Sequence, residues 1–204
     1  MEVLRPEKIE KLGEGRYRID FGEEISGWVH LHDVTGEAGQ RIDIRYLCES
    51  PNGSNSYTMR GGAPESYHTR FTWYVFREVE IDGWPGELSP GQITAEAVYT
   101  DVLSTGRFEC SNPLFNRINR IWRRSQTDNM HGCIASDCPH RERSAYTGDG
   151  QVACVTVMHN FDAAAFYSKW IRDIWGAQNV ETGYVPNGAP WQPGCGGGVA
   201  WGAA

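Results

Sequence analysis

Hydrophobic and polar residues alternate through the first hundred positions. Ile42, Ile44 and Tyr46 are separated by Asp43 and Arg45, the period-two pattern of a half-buried strand. Phe71, Trp73, Val75, Arg77, Val79 and Ile81 mark a second alternating face that stops at Asp82-Gly83, and Ile93, Ala95, Ala97 and Tyr99 mark a third. Gly27 to Val34 (GWVHLHDV) reads as a further strand ending at Thr35-Gly36. Short strands broken by Gly, Pro, Asn and Asp clusters predict an antiparallel β-sandwich. Ser50 to Glu65, rich in Gly, Ser, Asn and Pro, reads as a long loop.

The period changes near Cys110. Leu114, Ile118, Ile121, Trp122 and Ser125 fall on one face of a helix, with Ser111 as its expected N-cap and Pro113 in its first turn. Arg117, Arg120, Arg123 and Arg124 lie off that stripe and read as a solvated face. A second helix is expected over about Gln151 to His159. Ala163, Phe166, Tyr167, Trp170, Ile171 and Ile174 mark a third. From Glu181 onward Gly and Pro crowd the chain and no period is evident, nor is there an internal repeat. Amphipathic helices must bury their stripes against another layer, so their partners are expected downstream of Ala204.

Composition narrows the partners. A formal net charge of -7 argues against nucleic acid or an anionic membrane surface. No apolar run approaches the roughly 20 residues of a membrane span. The N-terminal residues lack a signal-peptide layout, so a cytoplasmic protein with mostly reduced cysteines is expected; a truncated N-terminus would leave the periplasm open. Eight tryptophans are several times the usual number, and each needs a place. Trp28, Trp73 and Trp84 are expected in the core or at the edge of the β half, and Trp122 and Trp170 in the helical core. Trp191 stays open between pocket and rim.

Between the first two helices lies Asn129 to Gly150, NMHGCIASDCPHRERSAYTGDG, a long loop dense in acids and bases. A polar loop whose charges pair among themselves is the bland reading; loops of this length inside a domain are also where function concentrates. Asp137, Glu142 and Asp149 supply carboxyls for acid/base work on an acetal, which needs one protonated carboxyl near the leaving oxygen and a second across the sugar. Arg141 and Arg143 flank Glu142 and would lower its pKa if they touch it. His131, Cys133, Cys138 and His140 offer soft metal ligands, but H-x-C-x4-C-x-H matches no common zinc spacing. A cysteine nucleophile at Cys138 or Cys133 would have its His too close in sequence for the usual geometry.

The run Asp137-Cys138-Pro139-His140-Arg141-Glu142-Arg143, followed by Tyr146-Thr147-Gly148-Asp149, resembles the signature of bacterial α-L-rhamnosidases of glycoside hydrolase family 78. The resemblance extends to FGEEISGWVHLHDVTGEAGQRIDIRY, FTWYVFREVEIDGWPG and TGRFECSNPLFNRINR, and through Asn160-Phe161-Asp162, Trp170 to Asp173, Gly183 to Pro186 and Ala200-Trp201-Gly202. It covers nearly the whole chain from about Gly15. It implies a multidomain α and β chain: an antiparallel β-sandwich accessory domain over 1–108, then over 109–204 the first helices of an incomplete (α/α)6 barrel.

The resemblance also implies inverting hydrolysis of terminal non-reducing α-L-rhamnose. Glu142 matches the general acid, Asp137 and Asp149 match carboxylates that hold sugar hydroxyls, and Arg141 matches a site arginine. Tyr146 stands where many members have Trp, and Trp201 matches an aromatic of the sugar pocket. No residue matches the general base, which is expected downstream; Glu181 is not assigned to it. The fragment alone is therefore expected to be inactive and, with exposed apolar stripes, poorly stable.

There are departures from the family pattern. The Asp137-to-Glu142 spacing is one shorter than in many members, Ser144-Ala145 replaces Leu-Gly, and Trp201-Gly202-Ala203-Ala204 lacks a usual acid. They bear on the substrate more than on the reaction. The implied partners are rhamnose-containing glycosides or oligosaccharides, with no metal or cofactor and with room for a homodimer in the full-length form. A non-catalytic carbohydrate-binding protein that keeps the fold is the alternative.

Overall fold

A computed structural model describes residues 2–48 and 53–191. The chain divides into two compact units, Met1–Val98 and Tyr99–Ala204. The division falls at 98/99 rather than at 108/109 because the intervening residues bond within the second unit. Thr100 N–H donates to the Met130 carbonyl (2.6 Å), and Thr105 and Gly106 donate to the Asn160 carbonyl.

The first unit is antiparallel β. Its strands are β1 (Glu2–Leu4), β2 (Lys8–Gly13), β3 (Arg16–Val34), β4 (Arg41–Leu47), β5 (Ser54–Thr58), β6 (Glu65–His68), β7 (Tyr74–Asp82) and β8 (Ile93–Ala97). The order is β1-β8-β3-β7-β4-β5, with β2 and β6 also paired to β3. The 19 residues of β3 exchange neighbours along their length. Residues 17–20 lie between β2 and β7, Gly27 between β7 and β8, and residues 30–31 between β8 and β6. A bulge between Asp20 and Ile25 makes the exchange possible, and Gly22 adopts a positive φ of 81° inside it.

Alternation places Tyr17, Ile19, Phe21, Ile25, Val29 and Leu31 on the buried face, against Ile42, Ile44, Phe76 and Val79. No α-helix lies among the described residues of this unit, so only the sheet folded over itself covers that face: the two layers of a sandwich. Trp84 joins this core at 2% exposure.

Three strand readings need correction. Ser50 to Glu65 is not all loop, because β5 lies within it. Asn55 and Tyr57 alternate there with exposed serines and threonine, and Tyr57 stacks on Tyr67 at 4.5 Å. Phe71 does not share the face of Val75, Val79 and Ile81. It sits before β7 with φ 61° and is fully exposed. Arg77 interrupts the same face and pairs with Asp20 at 2.8 Å. Tyr99 likewise lies beyond the end of β8.

The second unit holds β9 (Leu103–Ser104), α1 (Pro113–Asp128), β10 (Met130–His131), β11 (Ile134–Ala135), α2 (Thr147–Asn160), β12 (Phe161–Asp162) and α3 (Ala164–Ala177). Asn112, not Ser111, caps α1: its side chain accepts from Leu114 N–H at 2.9 Å, while Pro113 needs no partner at the first helical position. α2 begins at Thr147, four residues before the apolar period suggests. Arg123 is not part of a solvated face. It donates to Asn160 Oδ1 at 2.8 Å and to the Gly106 carbonyl at 3.1 Å, and lies 4.6 Å above the Phe161 ring.

Gly132 and Cys133, both with φ near 60°, join β10 to β11 in the two-residue turn that suits a twisted hairpin. The core gathers Met130, Ala135, Val157, Phe161, Phe166 and Trp170. Trp170 packs the edge of its ring against Gly150 of α2, where a Cβ would come within 1.8 Å of that ring, and its Nε1–H donates to the Ala189 carbonyl at 2.6 Å. Leu114, Ile118 and Ile121 of α1, and Val152 and Val155 of α2, are exposed. The five described cysteines are free, and no described helix is long and apolar enough to cross a membrane.

Candidate active site

The site is built by the connection from β11 to α2. Ser136 anchors its start, with its N–H donating to the Asn129 carbonyl at 2.9 Å. A reciprocal pair of bonds then closes a small loop. Asp137 N–H donates to the Ser144 carbonyl (3.1 Å), and Ser144 N–H donates to Asp137 Oδ1 (3.2 Å). Arg143, at φ 54°, makes the bend that lets the chain return. Closing this loop brings Glu142 back to Asp137, so that carboxylate oxygens of both and the Cys138 sulfur lie within 4.8 Å of one another. The Cys138 thiol donates to Glu142 Oε2 at 2.9 Å and reaches Asp137 Oδ2 at 3.4 Å.

Beyond Ala145 the chain meets residues 187–189 in a short antiparallel match. Ala189 N–H donates to the Ala145 carbonyl at 3.0 Å, Thr147 N–H to the Asn187 carbonyl at 2.7 Å, and Tyr146 faces Gly188 between them. This fixes Tyr146 as the N-cap residue of α2 and puts Asp149 in its first turn, where a negative charge suits the helix dipole. A cavity of about 740 Å³ opens beside these elements, lined among others by Asp137, Tyr146, Asp149, Trp122 and Asn187.

Asp137, Tyr146 and Asp149 are thus brought to one cavity. Glu142 and Arg141 are not in its wall: Glu142 is 49% exposed, with Arg141 Nε 3.8 Å from its Oε2. The Cys138 thiol, Glu142's own main-chain N–H and the Arg141 guanidinium hold the Glu142 carboxyl below the usual glutamate range, against the opposing effect of partial burial. Burial and the bond to Glu142 push the Cys138 thiol up, so it is a hydrogen-bond donor rather than a ready nucleophile. Trp201 lies outside the described residues. Trp191 is exposed and does not line this cavity.

The soft-ligand reading does not survive the geometry. Among the described residues, the group that brings metal-capable atoms together is Asp137, Cys138 and Glu142, without His131, Cys133 or His140. His131 and Cys133 are held in the β10–β11 hairpin instead. Trp122, Asn129 and Asn187 are among the cavity residues that escaped the sequence reading. Trp122 sits on a predicted core stripe, and its stripe position gives no sign that one side of the ring meets a cavity. Asn129 and Asn187 lie in aperiodic chain, where no pattern could single them out.

Asp137 and Glu142 are too close to be an inverting pair. Such a pair stands roughly 6.5–9.5 Å apart to admit a water, and these carboxyl oxygens lie within 4.8 Å.

Comparison with known proteins agrees across both units. The bacterial alpha-L-rhamnosidase 6 hairpin glycosidase domain matches residues 103–204, and the bacterial alpha-L-rhamnosidase concanavalin-like domain matches residues 48–99. An alpha-L-rhamnosidase of Formosa agariphila is 33% identical over 192 residues, 85% of this chain and 20% of the relative. One from Streptomyces avermitilis is 31% identical over 216 residues, 98% of this chain and 21% of the relative. The chain therefore spans about a fifth of the length of these curated relatives.

Among solved structures, that of Streptomyces avermitilis alpha-L-rhamnosidase complexed with L-rhamnose superposes with a TM-score of 0.90 at 30% identity, covering 99% of this chain and 21% of that one. The alpha-L-rhamnosidase from Dictyoglumus thermophilum superposes with a TM-score of 0.86 at 33% identity, covering 93% and 23%. With half its length in the hairpin glycosidase domain and the signature loop folded beside a cavity, this chain belongs to the bacterial α-L-rhamnosidase family, glycoside hydrolase family 78.

Proposed function

We propose that this chain supplies the proton-donor side of an inverting α-L-rhamnosidase, which in the complete protein cleaves terminal non-reducing α-L-rhamnose from glycosides or oligosaccharides. The observation that carries the proposal is the closed loop that sets Glu142 beside Asp137, with Asp137, Tyr146 and Asp149 in the wall of one cavity. Glu142 protonates the glycosidic oxygen. Asp137 and Asp149 accept hydrogen bonds from sugar hydroxyls, as ionised carboxylates do. Tyr146 packs its ring on the C–H face and methyl of the deoxysugar, Trp201 adds a second aromatic, and Arg141 holds the loop's negative charge in check.

The Glu142 proton is the point of stress. A general acid must carry its proton at working pH, and the bonds around Glu142 favour the anion. A sugar filling the cavity and a cover over the exposed side of Glu142 both remove water from it, and desolvation raises a carboxyl pKa. The general base, which directs a water to the opposite face of the anomeric carbon, is assigned to a loop downstream of Ala204, and the isolated chain is accordingly inactive.

The test is Glu142→Gln in the complete protein on an aryl α-L-rhamnoside and on a rhamnoside with a poor leaving group. Loss of about 10²- to 10⁴-fold in kcat on the poor leaving group, and less on the aryl glycoside, is expected of a proton donor. Undiminished cleavage of both removes the assignment. The half-exposed, anionic Glu142 favours a second reading, in which the fold binds carbohydrate without turning it over. Saturable binding of L-rhamnose by a complete protein that hydrolyses no rhamnoside would establish that reading instead.

A further inference from the structure

The cavity beside the signature loop has a wall residue that the sequence signature does not include. Asn187 lines it, and the side-chain Oδ1 of Asn187 is buried without a hydrogen-bond partner. The rest of the residue is firmly held. Its main-chain carbonyl accepts from both the N–H (2.7 Å) and the hydroxyl (3.0 Å) of Thr147, the first residue of α2. Its neighbours Pro186, Gly188 and Ala189 are buried, and Gly188 faces Tyr146. The backbone of Asn187 thus does the structural work, and the amide is left over.

A buried amide oxygen with no partner costs the folded state roughly ten- to a hundred-fold in its equilibrium. Such a cost is tolerated where a ligand removes it. The position is specific: Asn187 is clamped to Thr147, two residues from Asp149, in the wall that also carries Asp137. A sugar hydroxyl both donates and accepts, so it satisfies an amide at either end. A carboxylate here would add a third negative charge to a wall that already has Asp137 and Asp149. An amide adds hydrogen-bonding capacity without that repulsion.

We infer that Asn187 is a substrate-binding residue, whose side-chain amide bonds one ring hydroxyl of the L-rhamnosyl unit that Asp137 and Asp149 hold. The inference rests on the rhamnoside reading of the cavity and adds a specificity-determining residue to it. Because the group reads a hydroxyl, it discriminates against the sugar that lacks that hydroxyl rather than against the aglycone.

The experiment uses the complete protein with Asn187→Leu, which keeps the branched shape and removes both polar ends, and Asn187→Ala. L-rhamnose affinity is measured by calorimetry, alongside the 2-, 3- and 4-deoxy analogues and the thermal midpoint. Expected are a 10- to 100-fold weaker Kd for L-rhamnose in both variants, a thermal midpoint that does not fall in Asn187→Leu, and one deoxy analogue that binds wild type and Asn187→Leu equally well. An unchanged Kd for L-rhamnose overturns the inference, and so does an equal loss on all three deoxy sugars. A lowered thermal midpoint with unchanged Kd assigns the amide a structural role instead. A wild-type protein that binds no L-rhamnose defeats the rhamnoside reading itself, and with it the ligand named here.

Discussion

The two units obey the same rule of amphipathic patterning and reach opposite ends. In the β unit the central strands find their cover within 98 residues: Ile19, Ile25, Leu31, Ile42, Ile44 and Phe76 are all inaccessible. In the helical unit one face of each helix finds the small core around Val157, Phe166 and Trp170, while other apolar positions stay in solvent. Ile121 is 52% exposed, Val152 75% and Trp175 76%. A strand shares its burial with neighbours that β3 itself recruits by changing partners. A helix satisfies its own backbone but not its own stripe, and depends on another element for that. The unit that is richest in chemistry is also the one least able to cover itself.

The largest expected effect lies in the self-sufficient unit. Phe76→Ala is expected to cost about 3–5 kcal/mol, because Phe76 is fully buried between Tyr46 and Phe21. Urea unfolding followed by near-ultraviolet circular dichroism reads it. A cost below about 1 kcal/mol would mean that the β core is looser than its burial indicates. Next comes Ile121→Ala in α1, which should change the stability of this chain by less than about 0.5 kcal/mol, since the side chain is half in water already. If downstream helices cover that stripe, the same substitution in the complete protein costs about 2–5 kcal/mol. Equal small effects in both lengths would break the contrast between the units.

The smallest effect is a pH dependence in the β unit. The Tyr57 hydroxyl, first, and then the Gly61 and Arg60 N–H groups bring the Glu65 carboxyl down to about 2. A depressed carboxyl stabilises the fold above its unfolded value, near 4.5, and that contribution fades as pH falls toward 2. The thermal midpoint of the β unit is expected to drop across that window, and Glu65→Gln is expected to flatten the drop. An unaltered slope in the variant would remove Glu65 as its source.

Much of the architecture was legible in side-chain period alone. Strands β4, β7 and β8 and helix α3 sit where alternation or helical spacing placed them, because burial on one face is what that period encodes. The failures share a cause. Phe71 continues the period of β7 but itself takes a left-handed conformation ahead of the strand, and a two-residue repeat carries no mark of where the strand begins. β5 hid in a Ser/Asn-rich segment because what holds it, its pairing with β4 and the stack of Tyr57 on Tyr67, lies across sequence. Asn112 displaced Ser111 as cap because Pro113 fixes the helix start one residue later. In the site, the loop from Asp137 to Asp149 announced itself through its density of charge. The Cys138–Glu142 bond and the place of Asn187 depend on a loop closure and a chain return that no local pattern records.

Trp170 has a consequence for how variants of this family member will be interpreted. Its ring fills the space left by Gly150 and its indole nitrogen holds the Ala189 carbonyl, so one side chain joins α3, α2 and the segment that carries Asn187. Any side chain larger than hydrogen at position 150 must displace that ring and, through it, the wall on which the sugar would rest. Activity screens of the complete protein are therefore expected to rank Gly150 and Trp170 beside the cavity-lining residues, although neither lines the cavity. In such a map the boundary between scaffold and site runs through a tryptophan.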